Sequence, residues 1–152
     1  MAAELHQLCR RHGAAFFVNG RPWLARELVA DGLHLPTGHP APGHWHGALS
    51  VSAHDAGELA RGGRVGATFA LLSPLFPTRS HPYAPALGAA RFGELTAASP
   101  VPVLALGGMN PANALQARRA GAHGVAAIDA LLDTETPEKA VAAFRAAWGE
   151  EG

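Results

Sequence analysis

The sequence predicts a mostly parallel α/β fold, in which strands and helices alternate within one domain of 152 residues. Short continuous apolar runs that end in glycine or polar residues indicate strands buried on both faces. Stretches with apolar residues at helical spacing separate these runs. Alanine and glycine are abundant, while aromatic residues make up 7% of the chain, a balance that suits close packing of helices on a sheet.

The first half of the chain opens with a helix over residues 2–12, which ends at Gly13 because glycine is favoured just after a helix. The apolar run at 14–18 predicts a strand, and Pro22 suits the first turn of the helix that follows. The other elements predicted here are strands at 32–35 and 48–51 and a helix at 54–61, with a Pro/Gly-rich loop at 36–47.

The second half continues the alternation and brings the total to six strands. Predicted strands lie at 67–72, 101–106 and 124–128, and predicted helices at 88–98, 110–120 and 137–148. Repeated βα units with short connections require parallel strands and right-handed crossovers. The periodicity leaves two architectures open: an open doubly wound sheet, or six eighths of a (β/α)8 barrel, a fold that takes at least ~200 residues.

Charge and composition exclude several classes of partner. Twelve basic residues balance twelve acidic ones, so the positive field needed to attract nucleic acid or an anionic membrane is missing. Cys9 has no second cysteine with which to pair, and no apolar run approaches the ~20 residues of a membrane span. We therefore expect a cytoplasmic protein with neither a nucleic-acid partner nor a membrane partner.

The most informative segment runs from Val103 to Pro111, where a buried strand leads into Gly107-Gly108 and then into a capped helix. Glycines have no Cβ, so their backbone N–H groups can approach an anion closely. The next predicted strand ends within residues 121–128. In (β/α)8 barrels the loops after the last two strands commonly build one phosphate site together, and these two strand ends come in that order. The segment predicts a phosphate site, with a plain tight turn as the alternative.

A second polar segment follows the fourth predicted strand. Residues 73–82 contain three prolines together with Thr78, Arg79, Ser80 and His81. These side chains are expected at the carboxyl edge of the sheet, where α/β proteins bind ligands. The alternative is a Pro-rich surface connection.

Histidines are concentrated between His34 and His54, and the pair His44-x-His46 has the spacing of a chelate. Zinc sites usually place such pairs on ordered elements with cysteine or carboxylate ligands nearby. Since this cluster lies mostly in a Pro/Gly loop, we expect no metal site, only exposed loop histidines and one strand histidine, His34, with satisfied hydrogen bonds.

Several segments, taken in order, resemble one known family. They are Val18–Arg21, Gly32–Leu35, Ser50–His54, Pro74–Pro82, Leu87-Gly88, Leu106–Met109 and Ala120–Ala126. The chain is similar in these places to the thiamine phosphate synthases and the related TenI-like thiazole tautomerases, which are (β/α)8 barrels of thiamine biosynthesis. The resemblance implies an α/β TIM-barrel fold truncated at the N-terminus to about six βα units, residues 1–152 forming one domain that lacks the first strand, first helix and second strand.

The resemblance also implies a binding site for a small phosphorylated thiazole. Thr78 and Ser80 would contact the thiazole side, and Asn19, Ser52 and His54 would face the pyrimidine side. The residues implied around the phosphate are Gly107, Gly108, Ala127 and Ile128. A true synthase also needs Mg²⁺ to stabilise the departing diphosphate; otherwise no cofactor is implied.

The sequence departs from the synthase pattern at the positions that hold magnesium. Asn19-Gly20 stands where the family has Asn-Asp, and residues 36–39 lack the carboxylate expected there. Asn19-Gly20-Arg21 and Leu35-Pro36-x-Gly38 look more like TenI proteins, which shift a proton without a metal. The tautomerase histidine corresponds to Pro74, so His81 and His54 are the catalytic candidates by general acid–base chemistry.

Three functions therefore remain after the sequence is read. The leading one is a TenI-like protein that binds thiazole phosphate, and we expect no thiamine phosphate from a synthase assay. The alternatives are a true thiamine phosphate synthase and a noncatalytic paralogue that binds a phosphorylated ligand or a partner protein. Asp129 favours the paralogue, because a carboxylate repels phosphate unless it points away.

The missing barrel units lead to an expectation about assembly. An open barrel would expose two strand edges and apolar interior surface, which proteins avoid leaving bare. We expect either that a second copy covers the gap, making a homo-oligomer, or that the true start of the protein lies upstream of Met1.

Overall fold

The computed structural model describes residues 1–79 and 82–149, and within them six parallel strands form one sheet in the order of the chain. The strands are β1 (Phe17–Asn19), β2 (Gly32–Leu35), β3 (Ala48–Ala53), β4 (Phe69–Leu72), β5 (Val103–Ala105) and β6 (Gly124–Val125). The helices are α1 (Ala2–Arg11), α2 (Pro22–Glu27), α3 (Ala56–Arg64), α4 (Gly88–Ala97), α5 (Pro111–Arg119), α6 (Asp129–Leu132) and α7 (Pro137–Trp148). None of the described helices has the length and apolar character of a membrane span.

The strand order decides between the two predicted architectures. In a doubly wound sheet the order reverses at a switch point, which sends helices to both faces. Here each strand pairs with its neighbour in sequence, from β1–β2 through β5–β6. Right-handed crossovers in such an order place the helices on one side only, as in a barrel. The predicted barrel class is confirmed.

The two faces of the sheet differ in burial as a barrel wall requires. Leu33, Val51 and Val103 are fully buried because their side chains point toward the helices. The alternate residues point to the barrel interior, where Ser50 is buried but Phe17, Asn19, His34, Phe69, Leu71 and Leu104 keep part of their surface. The register places His34 opposite Ser50, and Ser50 opposite Phe69. The polar interior residues therefore lie on β1 to β3, whereas β4 and β5 present apolar residues to the interior.

Several predicted boundaries shift for identifiable reasons. The strand predicted at 14–18 is observed only from Phe17. The backbone N–H of Phe16 donates to the Asp31 carboxylate at 2.8 Å and so takes no part in the pairing of strands. The last strand ends at Val125 rather than residue 128, and α6 was not predicted because four residues are too short to show a period.

The segment between β2 and β3 contains no helix, as predicted from its prolines and glycines. The six predicted strands are present, and in this unit a loop takes the place of the helix, as expected for residues 36–47. Arg26 donates to the carbonyls of Pro42 at 3.0 Å and His44 at 2.8 Å, and Arg61 donates to the carbonyl of His39. These bonds hold the loop against α2 and α3.

Candidate functional site

A pocket of about 410 Å³ opens at the carboxyl edge of the sheet, where the loops after β2 to β6 meet. This is the edge at which parallel α/β proteins bind ligands. Its lining residues are Pro36, Thr37, Ser52, His54, Ser73, Pro74, Thr78, Leu106, Gly107, Gly108, Met109, Ala126, Ala127, Ile128 and Asp129. Seven of the predicted site residues are thus brought together.

The Gly107-Gly108 turn forms the floor of the pocket between β5 and α5. Both residues have positive φ, +90° and +65°. A Cβ on Gly107 would lie 2.7 Å from Pro74 Cα, and one on Gly108 would lie 2.5 Å from the Pro77 carbonyl oxygen. Glycine is therefore required here by the close approach of the loop after β4, in addition to any approach of an anion.

Hydrogen bonds fix the turn on both sides. Phe76 N–H donates to the Gly107 carbonyl at 3.1 Å, and the Asn113 side chain donates to the Gly108 carbonyl at 2.9 Å. Asn110 and Asn113 form a reciprocal capping box at the start of α5, as the predicted helix cap requires. The turn is held in one conformation before any ligand arrives.

Backbone donors are available around the same pocket. In the described ranges 1–79 and 82–149, no acceptor within the chain is found for the N–H groups of Gly107, Gly108, Ala127 and Ile128. The four residues come from the ends of two neighbouring strands, β5 and β6. Backbone N–H groups need an acceptor when they are taken from water, and a phosphate oxygen can supply it.

His54 lies on the pocket wall with a carboxylate behind it. Its Nδ1 is 2.8 Å from Glu58 Oε2 and 3.3 Å from Thr37 Oγ1, and the same Glu58 oxygen accepts from the His54 backbone N–H at 2.7 Å. A proton on Nδ1 donated to Glu58 leaves the lone pair on Nε2, as a general base needs. Sequence reasoning missed Glu58, although the spacing Asp55-x-x-Glu58 signals an acidic first turn.

His34 lies deeper in the barrel, between two serines of β3. Its Nδ1 is 2.9 Å from Ser50 Oγ and its Nε2 is 2.9 Å from Ser52 Oγ. Burial lowers the pKa of His34 from its ordinary value of 6.5, which favours the neutral ring. His34 thus has the satisfied hydrogen bonds expected of a strand histidine, and it holds the Ser52 hydroxyl that lines the pocket.

Arg79, on the loop after β4, contacts two carboxylates of the α6 region. Its Nε is 3.5 Å from Asp129 Oδ2, and its guanidinium donates to Asp133. The hydrogen bond to Asp133 and the charges of both carboxylates raise the pKa of Arg79. Asp129, expected to repel a phosphate, is therefore paired with a cation at the pocket wall.

The remaining predicted site residues are placed as follows. Asn19 ends β1 in register with His34 but is not part of the pocket lining. Ser80 and His81 lie outside the described residues. No group of three or more His, Cys, Asp and Glu side chains in the described part of the chain is arranged to hold a metal ion.

Comparison with known proteins identifies the family. Residues 1–131 match the family model described as thiamine monophosphate synthase. The chain belongs to this family. A thiamine-phosphate synthase of Chromobacterium violaceum is 36% identical over 154 aligned residues, covering 97% of this chain and 73% of that protein. One from Parasynechococcus marenigrum is 37% identical over 148, covering 91% of this chain and 42% of the longer relative.

A solved structure supports the same assignment. The thiamine phosphate pyrophosphorylase of Pyrococcus furiosus superposes with a TM-score of 0.83 at 26% identity, over 98% of this chain and 74% of that one. The predicted resemblance to the thiamine phosphate synthase family is thus confirmed. The relatives named here are called synthases or pyrophosphorylases, so they favour the synthase alternative over the TenI-like function predicted first.

Proposed function

We propose that this member of the thiamine phosphate synthase family binds thiazole phosphate in the pocket at the carboxyl edge of the sheet. The observation that carries the proposal is the set of four backbone N–H groups, on Gly107, Gly108, Ala127 and Ile128, that have no acceptor in the described part of the chain. A phosphate accepts hydrogen bonds from donors so arranged without the need for a lysine.

The rest of the pocket suits a small heterocycle. Pro74, Leu106 and Met109 give the lining apolar surface on which a thiazole ring would lie. Hydroxyl groups of Ser52 and Thr78 are positioned to orient ring substituents. The proposed ligand thus has a polar end that meets the backbone donors and an apolar body that meets the side chains.

The reaction favoured by the names of the relatives is the joining of thiazole phosphate to a pyrimidine diphosphate. The chain's share of that reaction is to bind and orient the thiazole phosphate and to exclude water from it. Asn19-Gly20 and residues 36–39 lack the carboxylates that the family resemblance leads one to expect there, so no metal-dependent step is assigned to the chain's own residues. The second candidate is a proton shift on the thiazole, supported by the pairing of His54 with Glu58 at 2.8 Å on the pocket wall.

Two measurements on the purified chain test the proposal. In the first, thiazole phosphate is titrated while thermal unfolding is followed, with the unphosphorylated thiazole alcohol as the matched control. A ligand present at 100 times its Kd adds ~2.7 kcal/mol of stability. We expect the phosphorylated compound alone to raise Tm at concentrations where the alcohol has no effect. Equal shifts, or no shift, would remove the phosphate site.

The second measurement separates the two reactions. Pyrimidine diphosphate and Mg²⁺ are added to the protein with thiazole phosphate, and thiamine phosphate is assayed. In parallel, exchange of ring-bound hydrogen into D₂O reports the proton shift, with His54→Gln as the control variant. Thiamine phosphate formation would establish the synthase reaction, whereas exchange that depends on His54 would establish the second candidate.

A further inference from the structure

The loop after β4 and the α6 region meet at the pocket through one cation and two carboxylates. Arg79 is mostly exposed, and it contacts Asp129 through Nε and Asp133 through a terminal nitrogen. Asp129 lines the pocket next to Ala127 and Ile128, whereas Arg79 and Asp133 do not line it. The two carboxylates therefore differ in their distance from the expected phosphate.

This arrangement bears directly on the charge of the phosphate site. An unpaired Asp129 carboxylate at the pocket wall would oppose a phosphate dianion bound to the neighbouring backbone N–H groups. Arg79 beside it supplies one positive charge, shared between Asp129 and Asp133, so the negative charge of Asp129 at the wall is partly offset.

We propose that Arg79 determines the specificity of this pocket for a phosphorylated ligand by pairing with Asp129, the carboxylate on the pocket wall, and so reducing the repulsion between that carboxylate and a bound phosphate. The inference rests on the proposed function, since it requires a phosphate in the pocket. It adds a residue that the family resemblance did not supply, because that resemblance assigned the thiazole contacts of this loop to Thr78 and Ser80.

A purely structural role for Arg79 makes a different prediction. If the residue only ties the loop to α6, then removal of either carboxylate partner should act like removal of Arg79. If instead the charge of Asp129 matters, the two carboxylates should behave differently. Asp129 is on the pocket wall and Asp133 is outside it, so the pair provides a matched control within the chain.

The test is a calorimetric titration of wild type, Arg79→Gln, Asp129→Asn, Asp133→Asn and the double variant Arg79→Gln/Asp129→Asn. The probes are thiazole phosphate and the uncharged thiazole alcohol. We expect Arg79→Gln to weaken thiazole phosphate binding about tenfold, because Asp129 then stands unpaired on the pocket wall and repels the phosphate, and to leave binding of the alcohol unaffected. The double variant should recover most of that loss, and Asp133→Asn should bind as wild type does.

Three outcomes would overturn the inference. The first is that Arg79→Gln binds thiazole phosphate as tightly as wild type does. The second is that the double variant Arg79→Gln/Asp129→Asn binds it as weakly as Arg79→Gln does. The third is that Asp133→Asn loses as much affinity as Arg79→Gln does. In each of these the wild-type chain still binds thiazole phosphate, so the proposed function survives. If neither wild type nor Asp129→Asn binds the phosphorylated probe, both the proposed function and the role of Arg79 are wrong.

Discussion

At the scale of single residues, His34 links the barrel interior to the pocket. Each of its ring nitrogens lies 2.9 Å from a serine hydroxyl, and one of these serines, Ser52, lines the pocket. A neutral imidazole has one donor and one acceptor nitrogen, so the two hydroxyls complete its hydrogen bonding. A protonated ring would have two donors and a charge in a partly buried position. Burial disfavours this charge and therefore lowers the pKa of His34.

This environment predicts a pH dependence of stability. The pKa of His34 is lowered in the folded chain relative to 6.5, so between these two values the unfolded chain binds more protons than the folded chain. The His34 contribution to the free energy of unfolding therefore falls as pH drops from about 6.5 through the folded pKa. We expect Tm to fall more steeply between pH 7 and pH 5 in wild type than in His34→Gln.

The control is His123→Gln, which removes one histidine with an exposed side chain. Its Tm profile should follow wild type across the same pH range. If the His34→Gln profile runs parallel to wild type instead, His34 does not contribute to the acid sensitivity of the fold.

At the scale of elements, the turn between β5 and α5 shows how local sequence and tertiary contacts combine. Gly108 has φ of +65°, a conformation that costs L-residues roughly 1–2 kcal/mol. Gly13 has the same φ of +65° after α1, but no atom lies within 4 Å of the position of its missing Cβ. The two glycines thus share the backbone requirement and differ only in their surroundings.

We expect Gly108→Ala to be more destabilising than Gly13→Ala. Both variants place an L-residue at positive φ, and only the first also forces a Cβ to 2.5 Å from the Pro77 carbonyl oxygen and 2.8 Å from Phe76 Cβ. Relieving such overlap typically costs 1–3 kcal/mol. Chemical denaturation of both variants measures the difference, and thiazole phosphate titration should show weakened binding in Gly108→Ala alone. Equal free energies of unfolding would mean that the loop after β4 moves aside at no cost.

The elements that the sequence predicts well are those marked by local signals. Asn110-Pro111 after the two glycines fixes the start of α5, and the apolar run Gly32–Leu35 is observed as β2 at the same bounds. The contacts between Arg79 and Asp133 are different, because they join residues 54 positions apart. No local period or cap encodes such a pair, and the same holds for the approach of Pro74 and Pro77 to the glycine turn. The position of the pocket was thus predictable, whereas the charges that surround it were not.

At the scale of the whole molecule, the barrel wall has two strand edges without a neighbour in the described residues, β1 and β6. The interior face near β1 carries Phe17 and Phe69, whose ring centroids are 5.6 Å apart and which remain partly exposed. Helix α1 lies beside the same edge, where His6 stacks on Phe16. Its Leu5 and Leu8 are 49% and 44% exposed, so this helix adds exposed apolar side chains to the partly exposed rings of the interior face.

Exposed apolar side chains and an unpaired strand edge favour association, and we predict that the 152-residue chain forms homo-oligomers through the β1 side. Sedimentation across a wide range of protein concentration should show a species heavier than 15.7 kDa, and Tm should rise with concentration because assembly stabilises the folded state. Leu5→Lys/Leu8→Lys should shift the equilibrium toward monomer. Val141→Lys, on α7 with a similarly exposed side chain at 45%, should not. A monomer whose Tm is independent of concentration would show that the open side is stable in water, and the exposed residues of α1 would then need another explanation.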